Sequence, residues 1–198
     1  MNNENKLTAI RRYVFSIFNN DATGHDFYHM KRVADAARTI AEAENANSFI
    51  CEAAAWIHDI GDGKLFADQS EAISDLRAFL LSNGVTEDET RRILQAAKDV
   101  SFRKGNIPET LEGKIVQDAD RLDAIGAVGI ARTFAYGGSK GQLIWNSAEK
   151  DNSSIQHFYD KLLLLKGLMN TDSAIRIAEE RHRFMEMYLE QFFSEWGR

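Results

Sequence analysis

The stretch Ala53-Ala54-Ala55-Trp56-Ile57-His58-Asp59-Ile60-Gly61-Asp62-Gly63-Lys64 decides how the rest of the chain is read. A run of apolar helix formers ends in an adjacent His-Asp pair, and Gly-Asp-Gly-Lys follows at once. The spacing predicts a helix over about 47–60, capped by Asn47 or Ser48 and stopped by Gly61 and Gly63. It is apolar nearly all round, so it is expected to be the central, most buried helix. A buried histidine beside a buried carboxylate needs a compensating group, because an unpaired buried charge is very costly. A metal ion is one such group, and the remaining ligands have to come from elsewhere in the chain.

Composition bounds the setting. A chain of 198 residues suits one domain with a full core, here expected over 1–198. The 24 alanines against 6 valines, with a single proline, favour helix over strand. The net charge of −6 comes without a basic block, which argues against polymeric nucleic acid as a partner. A small anion remains a fitting partner where cations cluster locally. One cysteine, Cys51, excludes an intramolecular disulfide framework and fits a reducing compartment. No apolar run approaches the ~20 residues of a membrane span. The opening Met1-Asn2-Asn3-Glu4-Asn5-Lys6 has no signal-peptide pattern, so a cytoplasmic location is expected.

Periodicity then predicts further helices on either side. Residues 5–19 carry Leu7, Ile10, Val14 and Ile17 at helical spacing, and a second helix begins near the N-cap candidate Asp26. The apolar stripe of that second helix is His29, Val33, Ala36, Ala37 and Ile40, so His29 opens a core-facing row. Helices follow over 69–82 and from a capping box at Thr86–Glu89 to about Val100. Pro108 suits the first position of the next, which runs into Gln117-Asp118-Ala119-Asp120-Arg121-Leu122-Asp123. Gly126 and Gly129 are spaced for close helix approach. Residues 136–154 read as a long loop with Trp145 as a lid candidate, and helices over about 155–169 and 172–196 end the chain.

His29, His58, Asp59 and a carboxylate among Asp118, Asp120 and Asp123 make a mixed nitrogen and oxygen set with open positions. Such a set suits Mn²⁺, Fe²⁺, Ni²⁺, Mg²⁺ or Zn²⁺, and the lack of cysteine ligands argues against structural zinc. His25 competes with His29, but it precedes the helix and fits a role at the substrate or the turn better. Asp62 comes four residues after His58, about one turn on, where a carboxylate orients or deprotonates water. A turn residue between two glycines is the alternative reading of Asp62.

The order His29, His58-Asp59, Asp120 resembles the HD-domain superfamily of metal-dependent phosphohydrolases. Gly24-His25-Asp26, His157-Phe158-Tyr159-Asp160-Lys161-Leu162 and Met169-Asn170-Thr171 extend the likeness to a compact bacterial branch. The resemblance implies an all-α, single-domain orthogonal bundle of about nine helices. Its motif region is about 25–126, with the helices of 155–196 completing the pocket. It implies one divalent ion on His29, His58, Asp59 and Asp120, with manganese favoured over magnesium, iron, nickel, cobalt or zinc. It also implies hydrolysis of a nucleotide-like substrate, in the first instance a nucleoside triphosphate cut to monophosphate and pyrophosphate, and a homodimer as a common state. The acid at the Asp62 offset resembles that of the alarmone hydrolases, although Gly63 stands where their second acid would be. A nucleotidase, a cyclic-nucleotide phosphodiesterase, an alarmone hydrolase or a non-catalytic nucleotide sensor are the alternatives.

A phosphate substrate calls for cations. Lys64 follows the helix break and is expected beside the ion, with a catalytic as well as a binding role. Lys161 lies near an apolar face, and Arg181 shares a stripe with Ile177, Phe184 and Tyr188. Arg is seldom buried unpaired, so Arg181 reads as a phosphate clamp or as half of a salt bridge. Arg32 and Arg121 adjoin ligand residues and read either as phosphate ligands or as neutralisers of the carboxylates.

Overall fold

In the computed structural model the described residues are 1–19, 26–63, 65–100, 105–147 and 153–197. They form an all-α protein, with nine α-helices and no strand longer than one isolated bridge among the described residues. The helices are α1 (Asn3–Phe18), α2 (Phe27–Ala43), α3 (Ser48–Ile57), α4 (Gln69–Ser82), α5 (Glu87–Ala97), α6 (Leu111–Asp123), α7 (Gly126–Ser139), α8 (Gln156–Asp160) and α9 (Asp172–Glu195). A 3-10 segment, Leu162–Leu168, joins the last two. No helix among the described residues is long and apolar enough to cross a membrane.

Helix starts follow the side chains that satisfy their first N–H groups. Asn47 caps α3 by accepting from the Ile50 N–H at 3.1 Å. Thr86 and Glu89 close the reciprocal capping box of α5. Pro108 does not open α6. Thr110 caps that helix, and Pro108 packs under its first turn, where a Cβ on Gly113 would come 2.8 Å from the proline ring.

Every residue of α3 from Phe49 to Ile57 is buried, which makes it the central helix. It packs against α1, α2, α5 and α6, and α2 and α6 also pack on each other. Their apolar side chains belong to one contiguous cluster that includes Met30, Ile50, Ile57, Ile93, Ile115 and Leu122, all about fully buried. The charge of buried Glu52 is met by Arg11 at 2.7 Å.

The second half departs further from the expected layout. Helix α7 extends over Tyr136–Ser139, which the periodicity assigns to loop. Beyond it a parallel bridge pairs Leu143 with Ser153. Trp145, the lid candidate, is buried, edge-on to Phe193 with ring centres 5.4 Å apart. The expected helix over 155–169 breaks at Lys161 (φ −141°, ψ −59°) into α8 and the 3-10 segment. Arg121 holds that segment by donating to the Leu168 carbonyl, so this cation serves the fold.

Candidate metal centre and its cleft

Helices α2, α3 and α6 each deliver part of one cluster. Asp26 accepts from the backbone N–H of His29 at 2.7 Å, which fixes His29 on the first turn of α2. The regular part of α3 ends at Ile57, and His58 and Asp59 sit in the turn that continues to Gly61. Gly61 takes φ +86°, a conformation that favours glycine, and the Asp62 N–H donates to the Asp59 carbonyl at 3.1 Å. Asp62 is therefore placed by a turn and not by a continuing α-helix.

Both imidazoles are oriented through Nδ1. That of His58 lies 2.8 Å from the Ala55 carbonyl, and that of His29 lies 2.7 Å from Asp123 Oδ2. A carbonyl only accepts, so His58 Nδ1 carries a proton, and the carboxylate makes the same demand on His29. The Nε2 atoms are thereby turned to a common point.

Asp120 Oδ1 stands 3.6 Å from His29 Nε2 and 3.7 Å from His58 Nε2. Asp59 brings Oδ2 to 3.8 Å from His29 Nε2 and Oδ1 to 3.4 Å from His58 Nε2. Ligand atoms of His29, His58 and Asp120 all lie within 4.8 Å of one another. These separations are long for hydrogen bonds and suit atoms that share an ion at about 2.1 Å each. His58 Nε2 is buried and makes no hydrogen bond among the described residues, and an imidazole nitrogen so placed fits a metal ligand. Side-chain exposure rises from 0% at His29 and 2% at His58 to 14% at Asp59 and 27% at Asp120, so the cluster opens outward from the core.

The electrostatics agree. Burial pushes His29 below its ordinary value in spite of its bond to Asp123. Burial acts on His58 too, but Asp59 and Asp120 outweigh it and push His58 up to about 9. Burial would raise Asp120, yet the facing imidazoles hold it below its usual value. Two imidazole nitrogens facing two carboxylates make a nitrogen and oxygen donor set that a divalent ion fits.

The other acids and cations fall into place around this centre. Asp123 is buried behind His29 and also accepts from Arg32 Nε at 2.6 Å and from Arg132 Nη1 at 2.7 Å. Burial alone would raise its carboxyl, but these donors hold it far below the carboxylate range. Arg32 is thus bonded to Asp123 and is not among the described residues of the cleft wall. Asp118 is fully buried and accepts from the backbone N–H groups of Asn170 and Thr171 and from both their side chains. It pins the start of α9 and is no ligand.

Arg181 is bonded to the main chain. Its stem lies over Gly126 (φ +75°), where an added Cβ would come 3.0 Å from Arg181 Cγ, and its Nη1 donates to the Leu122 carbonyl. It adds a side-chain donor to a carbonyl in the last turn of α6 that also accepts from the Ile125 N–H, which gives this cation on a core-facing stripe a polar partner. Gly129 is close-packed as well, with an added Cβ only 2.2 Å from the Ala124 oxygen. His25 and Lys64 lie outside the described residues.

A cleft of about 1620 Å³ opens from the cluster, with His58, Asp59, Asp62 and Asp120 on its wall. Lys161 is on that wall too. Arg132, Lys98, Lys140 and His157 join it, and the sequence reading singled out none of these as a phosphate ligand. Arg132 lies nine positions after Asp123 across the turn at Gly126, beyond the reach of any helical spacing rule.

The HD domain family model matches residues 26–125. YpgQ of Bacillus subtilis is 45% identical over 186 residues, 92% of this chain and 89% of that one. The crystal structure of Bacillus subtilis YpgQ in complex with ADP superposes with a TM-score of 0.86 at 41% identity, covering 98% of this chain and 97% of that one. An HD-superfamily hydrolase from Bacillus thuringiensis gives a TM-score of 0.84 at 42% identity, with 98% of each chain covered.

Proposed function

The chain belongs to the HD domain family, and on that premise we propose that it is a divalent-metal-dependent phosphohydrolase converting a nucleoside triphosphate to the monophosphate and pyrophosphate. The observation that carries this reading is the pair of Nδ1-anchored imidazoles facing Asp59 and Asp120, at the inner end of a cleft with cations on its wall. His29, His58, Asp59 and Asp120 hold the ion, with manganese the preferred metal. When bound, the ion supplies Lewis-acid polarisation of a phosphoryl oxygen and acidifies water.

The chain's own residues supply the rest. Asp62, on the cleft wall beside His58, orients the attacking water and accepts its proton. Lys161, Arg132, Lys98 and Lys140 offer positive charge to a polyphosphate, and such charge is most effective where water is partly excluded. Lys64 remains a candidate for the same work, and His25 for substrate contact, on sequence grounds alone. A cleft of about 1620 Å³ exceeds the ~300–1,000 Å³ of common ligand pockets, leaving room for base, sugar and phosphates together. The ADP held by the related YpgQ crystal supports a nucleotide as the occupant. The walls draw on α3, α5, α6, α7 and α8, which supports residues 1–198 working as one unit.

Turnover of NTPs, dNTPs, NMPs, cyclic nucleotides and alarmones with Mn²⁺, with products identified by phosphorus NMR, tests the proposal. Pyrophosphate and a monophosphate are expected from a triphosphate. Orthophosphate as the first product would overturn the pyrophosphohydrolase assignment, and binding without turnover of any of them would replace enzyme by sensor.

A further inference from the structure

Asp123 Oδ2 receives three donors from two sides. His29 Nδ1 reaches it at 2.7 Å and Arg32 Nη2 at 3.1 Å, both from α2, while Arg132 Nη1 reaches it at 2.7 Å from α7. Arg132 Nη1 also lies 3.4 Å from the Asp123 backbone carbonyl, so one guanidinium grips both the side chain and the main chain of this residue. The Asp123 carboxylate is only 5% exposed and the Arg132 side chain 21%. Of the cations on the cleft wall, Arg132 is the one bonded to Asp123 among the described contacts.

The two arginines are not equivalent. Arg32 comes three residues after His29 on the same helix, so its bond to Asp123 moves with His29 as one body. Arg132 stands on a different helix, and through Asp123 it fixes the carboxylate against the turn that links α6 to α7. A lysine cannot reproduce this hold, since its single ammonium on a flexible stem lacks the planar fork.

We propose that Arg132 is a positioning residue that sets the His29 ligand through Asp123, tying the cleft wall to the metal centre. The chain of contacts is Arg132 to Asp123 to His29. Loss of the α7 anchor leaves Asp123 free to follow Arg32, and the His29 ring loses its fixed direction. Partners of this kind are worth roughly tenfold to a hundredfold in metal affinity. The consequence for metal rests on the reading of the His29 group as a metal site, but the hold on His29 does not.

Histidine-selective nitrogen NMR of the metal-free protein reads that hold directly. In the wild type, the hydrogen-bonded His29 Nδ1–H is expected to be slow to exchange, with Asp123→Asn as the reference for its weakening. Arg132→Lys should give faster exchange and a shifted signal while the other histidines keep theirs. Arg132→Gln repeats the test should the lysine variant fold poorly. An unchanged His29 signal in a folded Arg132 variant would overturn the proposal, even with a lower melting temperature.

Calorimetric titration with Mn²⁺ supplies the second readout, where Arg132→Lys should bind about tenfold or more weakly. Wild-type affinity in that variant also counts against the proposal. Should the wild type bind no Mn²⁺ while the His29 signal still depends on Arg132, the metal reading falls and the positioning role stands.

Discussion

Asp123 is buried behind His29, whereas Asp62 lines the open cleft, and the two acids call for different tests. Asp123→Asn keeps an acceptor for His29 but removes the charge that Arg32 and Arg132 surround. Mn²⁺ affinity measured by titration should fall about tenfold to a hundredfold. Asp62→Asn should bind Mn²⁺ as the wild type does and lose roughly 10²–10⁴ in kcat; a wild-type kcat would leave Asp62 as a turn residue. His58 carries a pH signature. Its folded value, raised to about 9 from 6.5, means that its contribution to the metal-free protein is complete below about pH 6.5 and is lost as pH rises through about 9. Denaturant titrations of the metal-free wild type, compared with His58→Gln, should show this loss between those values. Saturating Mn²⁺ should remove it, because the ion takes the place of the proton.

Among the helices, those whose first turn carries its own side-chain cap are the most legible in the sequence. The starts of α2, α3 and α5 carry Asp26, Asn47 and the Thr86–Glu89 box, whose side chains bond the next turn locally and so leave a local signature. The C-terminal third was harder because distant partners decide it. The periodicity of 155–169 is helical, yet Lys161 breaks it and Arg121, forty-odd positions upstream, holds the segment that follows. Asp118 does the same for α9, accepting from Asn170 and Thr171 across the chain. Asp118→Ala would strand several buried donors, so it should cost about 3 kcal/mol in denaturant unfolding. That is far more than the ~1 kcal/mol expected of Thr86→Ala at the exposed cap of α5. Equal losses in the two variants would show that the Asp118 contacts contribute little.

At the level of the whole molecule, metal binding should be visible as stability. An ion that binds the folded protein alone stabilises it by about 2.7 kcal/mol at about 100 times its Kd. Mn²⁺ should therefore raise the melting temperature, EDTA should reverse the rise, and His29→Ala should abolish it; a melting temperature indifferent to Mn²⁺ in the wild type would count against the centre. The sequence by itself determined the all-α class, the burial of α3 and the choice of His29, His58, Asp59 and Asp120, which the fold brings into one cluster. Periodicity, capping and motif order are local or ordinal properties that a chain carries before it folds. Tertiary structure alone decided which charges line the cleft. Arg181 reads as a phosphate clamp or half of a salt bridge, and Arg32 as a phosphate ligand or a neutraliser; the fold gives one the Leu122 carbonyl as a partner and the other Asp123. Arg132 drew no notice until α7 placed it against Asp123 and the cleft at once. A buried charge takes its role from whatever partner compensates it, and partners that lie far apart in the chain are chosen only when the helices pack.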